Sequence, residues 1–161
     1  MSDTSPISNL IDLDHVWLLP RLFQEVVIPT KVAYELGQNQ GFQTKWQVVQ
    51  SSDWLVIRSP NEAFLPLPTT EKPLDPGETE AIALALELKA DLLLIDERAG
   101  FKVAQSLNIR TLGVLGMLVE AKRTHLVPSV KPLLDQLREE IGFWVSEKLY
   151  QQILTLTDES E

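Results

Sequence analysis

The 161-residue chain has no cysteine. That excludes a disulfide framework and any nucleophile or metal site built on thiolate. Histidine is almost as scarce. His15 and His125 belong to no motif and to no evident serine or carboxylate relay, so neither a Cys/His zinc centre nor a Ser–His pair is expected. Cations are few, with 14 Lys and Arg against 23 Asp and Glu, a net charge of -9. Such a surface repels polyanions at long range and argues against a non-specific nucleic-acid coat. A local basic patch stays compatible with it, as does an acidic cluster built around a divalent cation. No apolar run approaches the roughly 18 residues of a spanning helix, and no charged-then-apolar leader opens the sequence. A cytoplasmic protein without membrane attachment is expected. The phosphate-cradling loops G-x-x-x-x-G-K-[ST] and G-x-G-x-x-G are also missing, which removes both nucleotide sites.

What remains is a chain with 44% hydrophobic residues, enough for one sizeable core. Ser5 and Pro6 read as the cap and first position of a helix carrying Ile7, Leu10, Ile11 and Leu13. WLLPRLFQEVVI at 17–28 gives a short helix and a strand. Thr30 is placed to cap the helix KVAYELG, and Gly37 to end it. Another helix is expected within 38–52 and a strand at 54–59, while four prolines at 60–74 indicate an extended loop. Then follow a helix from DPGETEAIALALE, the strand LLLI (92–95), a helix over 98–107 and a short strand at 109–112. This βαβ order predicts a mainly parallel sheet, and the unbroken LLLI suits a strand covered on both faces. Three helices close the chain, GVLGMLVEAKR, VKPLLDQLREE and SEKLYQQILTL. The expected class is α/β, a three-layer α/β/α sandwich, with a core at 1–125 and a helical extension at 126–161 packed on it.

Four acids fall near element ends: Asp3, Glu35, Glu80 and Asp96. Asp96 ends an apolar strand where open α/β sheets bind ligands, although an aspartate there also serves as a helix cap. Asp75, Pro76 and Glu78 fit a capping box, so Glu78 has a structural task available. Glu80 has none, and its apolar helix makes an unpaired carboxylate costly unless it faces solvent at the rim. Glu35 alone reads as a surface residue. Together, converging carboxylates suit a hard, oxygen-seeking ion such as Mg²⁺ or Mn²⁺. An ion held this way can orient water and stabilise charge on a phosphodiester.

The stretches SDTSPISNL, VVIPTKVAYEL, LDPGETEAIALALELKADLLLIDERAG and TLGVLGMLVEAKRTHLV, in this order and spacing, resemble the PIN-domain superfamily. More narrowly, they resemble the prokaryotic PIN-like DUF3368 group. The resemblance implies a Mg²⁺- or Mn²⁺-dependent ribonuclease, of the kind found as toxins in VapBC-like pairs. It places Asp3, Glu35, Glu80 and Asp96 as the catalytic and metal-binding acids. Thr4 and Ser5 match the hydroxyls beside the first acid. Glu78, in the group's GExEA motif, reaches the site or caps the helix. Arg98 and Lys102 are placed to meet RNA phosphates.

Two departures from the family pattern stand out. Only Met1 and Ser2 precede Asp3, where relatives enter from an apolar central strand, and Phe101 follows DERAG where a basic residue is common. For the first, the readings are a misplaced start, a substituting segment or a different packing. The alternative function is a non-catalytic PIN-fold module for nucleic-acid binding or protein assembly. Expected partners are RNA, an antitoxin protein and a second copy of the chain. The apolar residues of FWVSEKLYQQIL would serve that dimer or pack on their own domain.

Overall fold

The computed structural model describes residues 1–160. Its elements in chain order are α1 (Thr4–Asp12), α2 (Leu18–Leu22), β1 (Val26–Pro29), α3 (Thr30–Gln38), α4 (Gln43–Gln50), β2 (Leu55–Arg58), α5 (Pro76–Glu87), β3 (Leu93–Leu94), α6 (Arg98–Ser106), β4 (Thr111–Leu112), α7 (Val114–Arg123), α8 (Lys131–Gln136) and α9 (Glu147–Leu156). A 3₁₀ turn at Glu62–Phe64 interrupts the proline-rich loop, and a π turn at Leu137–Ile141 prolongs α8. That turn ends at Gly142, whose φ of 78° suits a residue without a Cβ.

β1 pairs in parallel with β2, and β3 with β4. Between the pairs runs a lane only three residues long, Met1 to Asp3. Ser2 N–H donates to the Val27 carbonyl at 3.0 Å, Leu94 N–H to the Met1 carbonyl at 2.8 Å, and Asp3 N–H to the Leu94 carbonyl at 3.0 Å. The hydrogen bonds therefore link two parallel pairs through the lane in the order β2, β1, lane, β3, β4, the lane running parallel to β3. The lane is the chain's own first segment, lying between β1 and β3, and no other segment takes its place among the described residues. Three residues join the two half-sheets, and a groove of about 520 Å³ continues the lane between Val26–Val27 and Leu92–Leu94.

The sheet is covered on both faces, as LLLI suggested. Leu93 and Ile95 turn to a small core with Ile82, Ala85 and Val103 of α5 and α6. Leu94 turns to a larger core that includes Ile7 and Leu10 of α1, Met117 and Leu118 of α7, and Leu134 and Ile153 of α8 and α9. This is the α/β sandwich expected.

Two caps differ from the expectation. α1 begins at Thr4 with Asp3 in the cap position, so Ser5 and Pro6 lie inside the first turn. α3 begins at Thr30 and runs through Gly37, with Pro29 in its cap position. Pro29 lacks an N–H and its backbone is extended, so the helix starts directly from the strand end.

Candidate active site

Parallel strands deliver their carboxyl ends to one side of the sheet, where each following helix begins. Asp3 stands at the end of the central lane, 1% exposed, and its side chain makes no cap bond to α1. Its Oδ1 is buried without a hydrogen-bond partner. The next residue, Thr4, donates its hydroxyl to Glu35 Oε2. Glu35 comes from the second turn of α3 and rests against α5 at Gly77, where a Cβ would lie 2.5 Å from Oε2.

Asp75 and Glu78 form the capping box read from the sequence. Glu78 N–H donates to Asp75 Oδ1 at 2.7 Å, and Asp75 N–H donates to Glu78 Oε2 at 2.9 Å. The box uses only one Glu78 oxygen. The other, Oε1, is buried without a full hydrogen bond in a side chain turned inward, the residue being 4% exposed, and only the nearby Gly100 N–H favours its charge. It faces Gly100 of α6, where a Cβ would approach to 2.9 Å.

Asp96 follows β3. Its Oδ1 accepts from Val114 N–H at 2.8 Å at the start of α7, and its Oδ2 accepts from the Asn9 amide at 3.3 Å. A Cβ on Gly113 would lie 2.6 Å from Oδ1. Three acids thus each rest against a glycine, and in each case a methyl group would displace the carboxylate.

Burial pushes the Asp3 carboxyl up to about 7, opposed by the Thr4 N–H and reinforced by the charges of Asp75, Glu78 and Glu35. Burial also raises Asp96, to about 6, against the pull of the Val114 N–H and Asn9, with Glu97 adding to the rise. Glu78 is raised as well, by burial first. Among the described residues, no lysine or arginine forms an ion pair with Asp3, Glu35, Glu78 or Asp96. The mouth is a concentration of negative charge that the chain leaves uncompensated.

The remaining sequence candidates lie around this mouth. Glu80 is half-buried, and its Oε2 accepts from Lys31 N–H at 3.3 Å, at the start of α3. It is absent from the charges that act on Asp3, whereas Glu78 is among them. Ser5 is half-buried in the first turn of α1. Arg98 and Lys102 are exposed on α6. Asn9 was not anticipated. Its signal was a lone amide between the apolar pairs of α1, the helix that starts directly after the first acid.

The donor chemistry fits a divalent cation. Two buried carboxylate oxygens lack partners, and the neighbouring acids have oxygens of the type Mg²⁺ and Mn²⁺ prefer. Among the described residues, no three His, Asp or Glu side chains are gathered tightly enough to hold one ion as they stand. No described helix is long and apolar enough to cross a membrane.

No curated protein and no solved structure matches the chain. A family profile matches nearly all of it, residues 1–159, and the acids just described lie within that match. The chain belongs to the DUF3368 family, a PIN domain.

Proposed function

We propose that the protein is a metal-dependent ribonuclease that hydrolyses phosphodiesters with an activated water. The observation that carries this is the pair of buried oxygens without a full hydrogen bond, Asp3 Oδ1 and Glu78 Oε1, in acids that form no ion pair among the described residues. Burying anionic groups without partners is costly, and a bound cation offsets that cost. PIN membership agrees, since the class carries nuclease-type function and generally uses divalent metals.

In this reading Asp3 and Glu78 hold Mg²⁺ or Mn²⁺, with Asp96 and Glu35 completing the set. When bound, the ion would lower the pKa of water and stabilise charge on the phosphate. The chain's own residues do the positioning. Thr4 fixes Glu35 through its hydroxyl, while Val114 N–H and the Asn9 amide fix Asp96. Glu80 steadies the start of α3 and contributes negative field from the rim. The family resemblance extends the reading to a cytoplasmic toxin with a protein antitoxin.

The test is cleavage of mixed RNAs with Mn²⁺, with chelator and Asp96→Asn as controls. Activity that needs the metal and disappears in the variant supports the reading. Equal cleavage by both proteins refutes it. A second reading, a non-catalytic PIN module, is favoured by the absence of a gathered three-acid group among the described residues. Metal binding without cleavage across a broad RNA panel would select it.

A further inference from the structure

The last helix, α9, packs Tyr150, Ile153 and Leu154 onto the larger core, where all three are buried. Trp144, just ahead of it, does not join them and keeps 82% of its surface exposed. It stands at the rim of a hollow of about 900 Å³ that runs along β4. Leu112 of β4, Leu115 of α7 and Phe143 give the hollow apolar walls, and Asp96 also lines it. The hollow therefore shares an acid with the mouth described above.

Its floor carries one open pair of backbone groups. Among the described residues β4 pairs only with β3, to which Arg110 and Leu112 turn their carbonyls, accepting from Leu93 N–H at 2.8 Å and from Ile95 N–H at 3.0 Å. Alternation turns the Thr111 N–H and carbonyl the other way, to the sheet edge. Neither has a partner among the described residues. On both sides the edge is already engaged: Ile109 N–H donates to the Ala104 carbonyl at 2.9 Å, and the Gly113 carbonyl accepts from Met117 N–H at 3.0 Å. What remains is one donor and one acceptor, too short a run for the ladder of an added strand. An apolar side chain seated here would cut both off from water, at a cost. Gly113, whose Cβ position lies 2.6 Å from Asp96 Oδ1, is two residues from Thr111, roughly 7 Å along the strand.

An unpaired nucleobase supplies what these walls and this edge require: a flat face that stacks on an aromatic ring, and a rim that carries both a donor and an acceptor. We propose that the hollow is a nucleobase subsite for single-stranded RNA, in which a base stacks on Trp144 and pairs by its edge with the Thr111 N–H and carbonyl, while its phosphate lies at the acidic mouth. The separation of Thr111 from Gly113 and Asp96 suits the span between a base and its own phosphate. Stacking on Trp144 is open to every base, so the subsite sets where the strand lies without demanding one sequence. The inference rests on the ribonuclease reading for its substrate, but binding can be measured without cleavage.

The experiment uses the full chain in EDTA, in two arms. In the first, amide spectra of the ¹⁵N-labelled protein are recorded with each of the four nucleoside monophosphates and with ribose 5-phosphate. The nucleotides should shift the Thr111 amide and the Trp144 indole N–H saturably, and ribose 5-phosphate should leave both in place. In the second, a fluorescein-labelled single-stranded RNA is followed by anisotropy across a salt series. Trp144→Ala should bind about tenfold more weakly, with the salt slope unchanged because no phosphate contact is lost. Trp17→Ala, at an exposed tryptophan outside the hollow, should bind as wild type does. Circular dichroism verifies that each variant is folded. Absence of RNA binding by the wild type, equal binding by Trp144→Ala, or equal shifts from ribose 5-phosphate overturns the proposal. So does a dimer in light scattering that Trp144→Ala dissolves, since a second copy would then fill the hollow. Loss of the cleavage reading alone does not, because both arms read binding without cleavage.

Discussion

Two carboxylate settings in this molecule are opposites. Glu159, near the end of the chain, has both oxygens engaged. It accepts from the Ser129 hydroxyl, from Val130 N–H at 2.7 Å and from Lys131 N–H at 2.8 Å, and it pairs with Lys122 at 3.4 Å. Burial opposes its ionisation, yet these partners hold it down at about 2. Asp3 is buried where Glu159 is half-buried, but one of its oxygens has no partner and its pKa is displaced upward to about 7. Glu159 spends its charge on joining the chain end to α8. Asp3 keeps its charge unspent, at a cost in stability that a bound cation would remove. Burial of an acid does not by itself mark a functional site; what is left over after its hydrogen bonds are counted does.

Activity is where the two settings should differ most. Asp3→Asn and Asp96→Asn should each lower RNA cleavage by about 10²-fold or more, because an amide keeps the shape but cannot neutralise a cation. Glu159→Gln should leave the rate per folded molecule unchanged. Steady-state cleavage, normalised to folded protein, compares them.

Stability should move in opposite directions. Glu159→Gln removes charge-assisted hydrogen bonds and should cost about 2 kcal/mol. Asp3→Asn should stabilise the metal-free protein at pH 8, since it removes an unfavourable buried charge. Denaturant unfolding in EDTA reads both. Should both variants lose stability equally, the contrast between the two acids fails.

The pH dependence sharpens the same point. Asp3 and Asp96 have raised values, about 7 and about 6, so the stability they contribute is complete below about 4 and is lost as pH rises through those values. Glu159 is lowered, so its contribution is present above 4.5 and is lost as pH falls towards 2. The metal-free protein should therefore be most stable near pH 4 and weaker at pH 8. Added Mn²⁺ should remove the loss at pH 8. Thermal unfolding at the two pH values, with and without the ion, checks this.

A smaller effect separates the two glutamates of the α5 start. Glu78→Gln should weaken Mn²⁺ binding about tenfold, because it alters the acid with the unpartnered oxygen while keeping the cap. Glu80→Gln should weaken it less, since that carboxylate is engaged with Lys31 N–H. Calorimetric titration of the two variants gives the ratio.

The capping box shows how far the sequence could be read. D-P-G-E specified a helix start, and both of its reciprocal bonds are present. Sequence spacing gave Glu78 the cap and left Glu80 as a candidate ligand, while the family resemblance let Glu78 either reach the site or cap the helix. A carboxylate has two oxygens, however, and only the tertiary approach of Gly100 shows that the second is enclosed. The parallel, doubly covered sheet was legible from LLLI and the helices around it, whereas the three-residue lane was not. A run as short as Met1–Asp3 has no periodicity, and its pairing is set by the two strand edges that receive it. The glycines beside Glu35, Glu78 and Asp96 were silent for the same reason. Their role is clearance against residues distant in the chain.

The central claim is that the unpartnered oxygens at Asp3 and Glu78 are there for a divalent cation. Calorimetric titration of Mn²⁺ at pH 8 into wild type and Asp3→Asn tests it most directly. Saturable binding by the wild type and at least about a tenfold loss in the variant are expected. Equal affinity in the two proteins, or no binding by either, would contradict it.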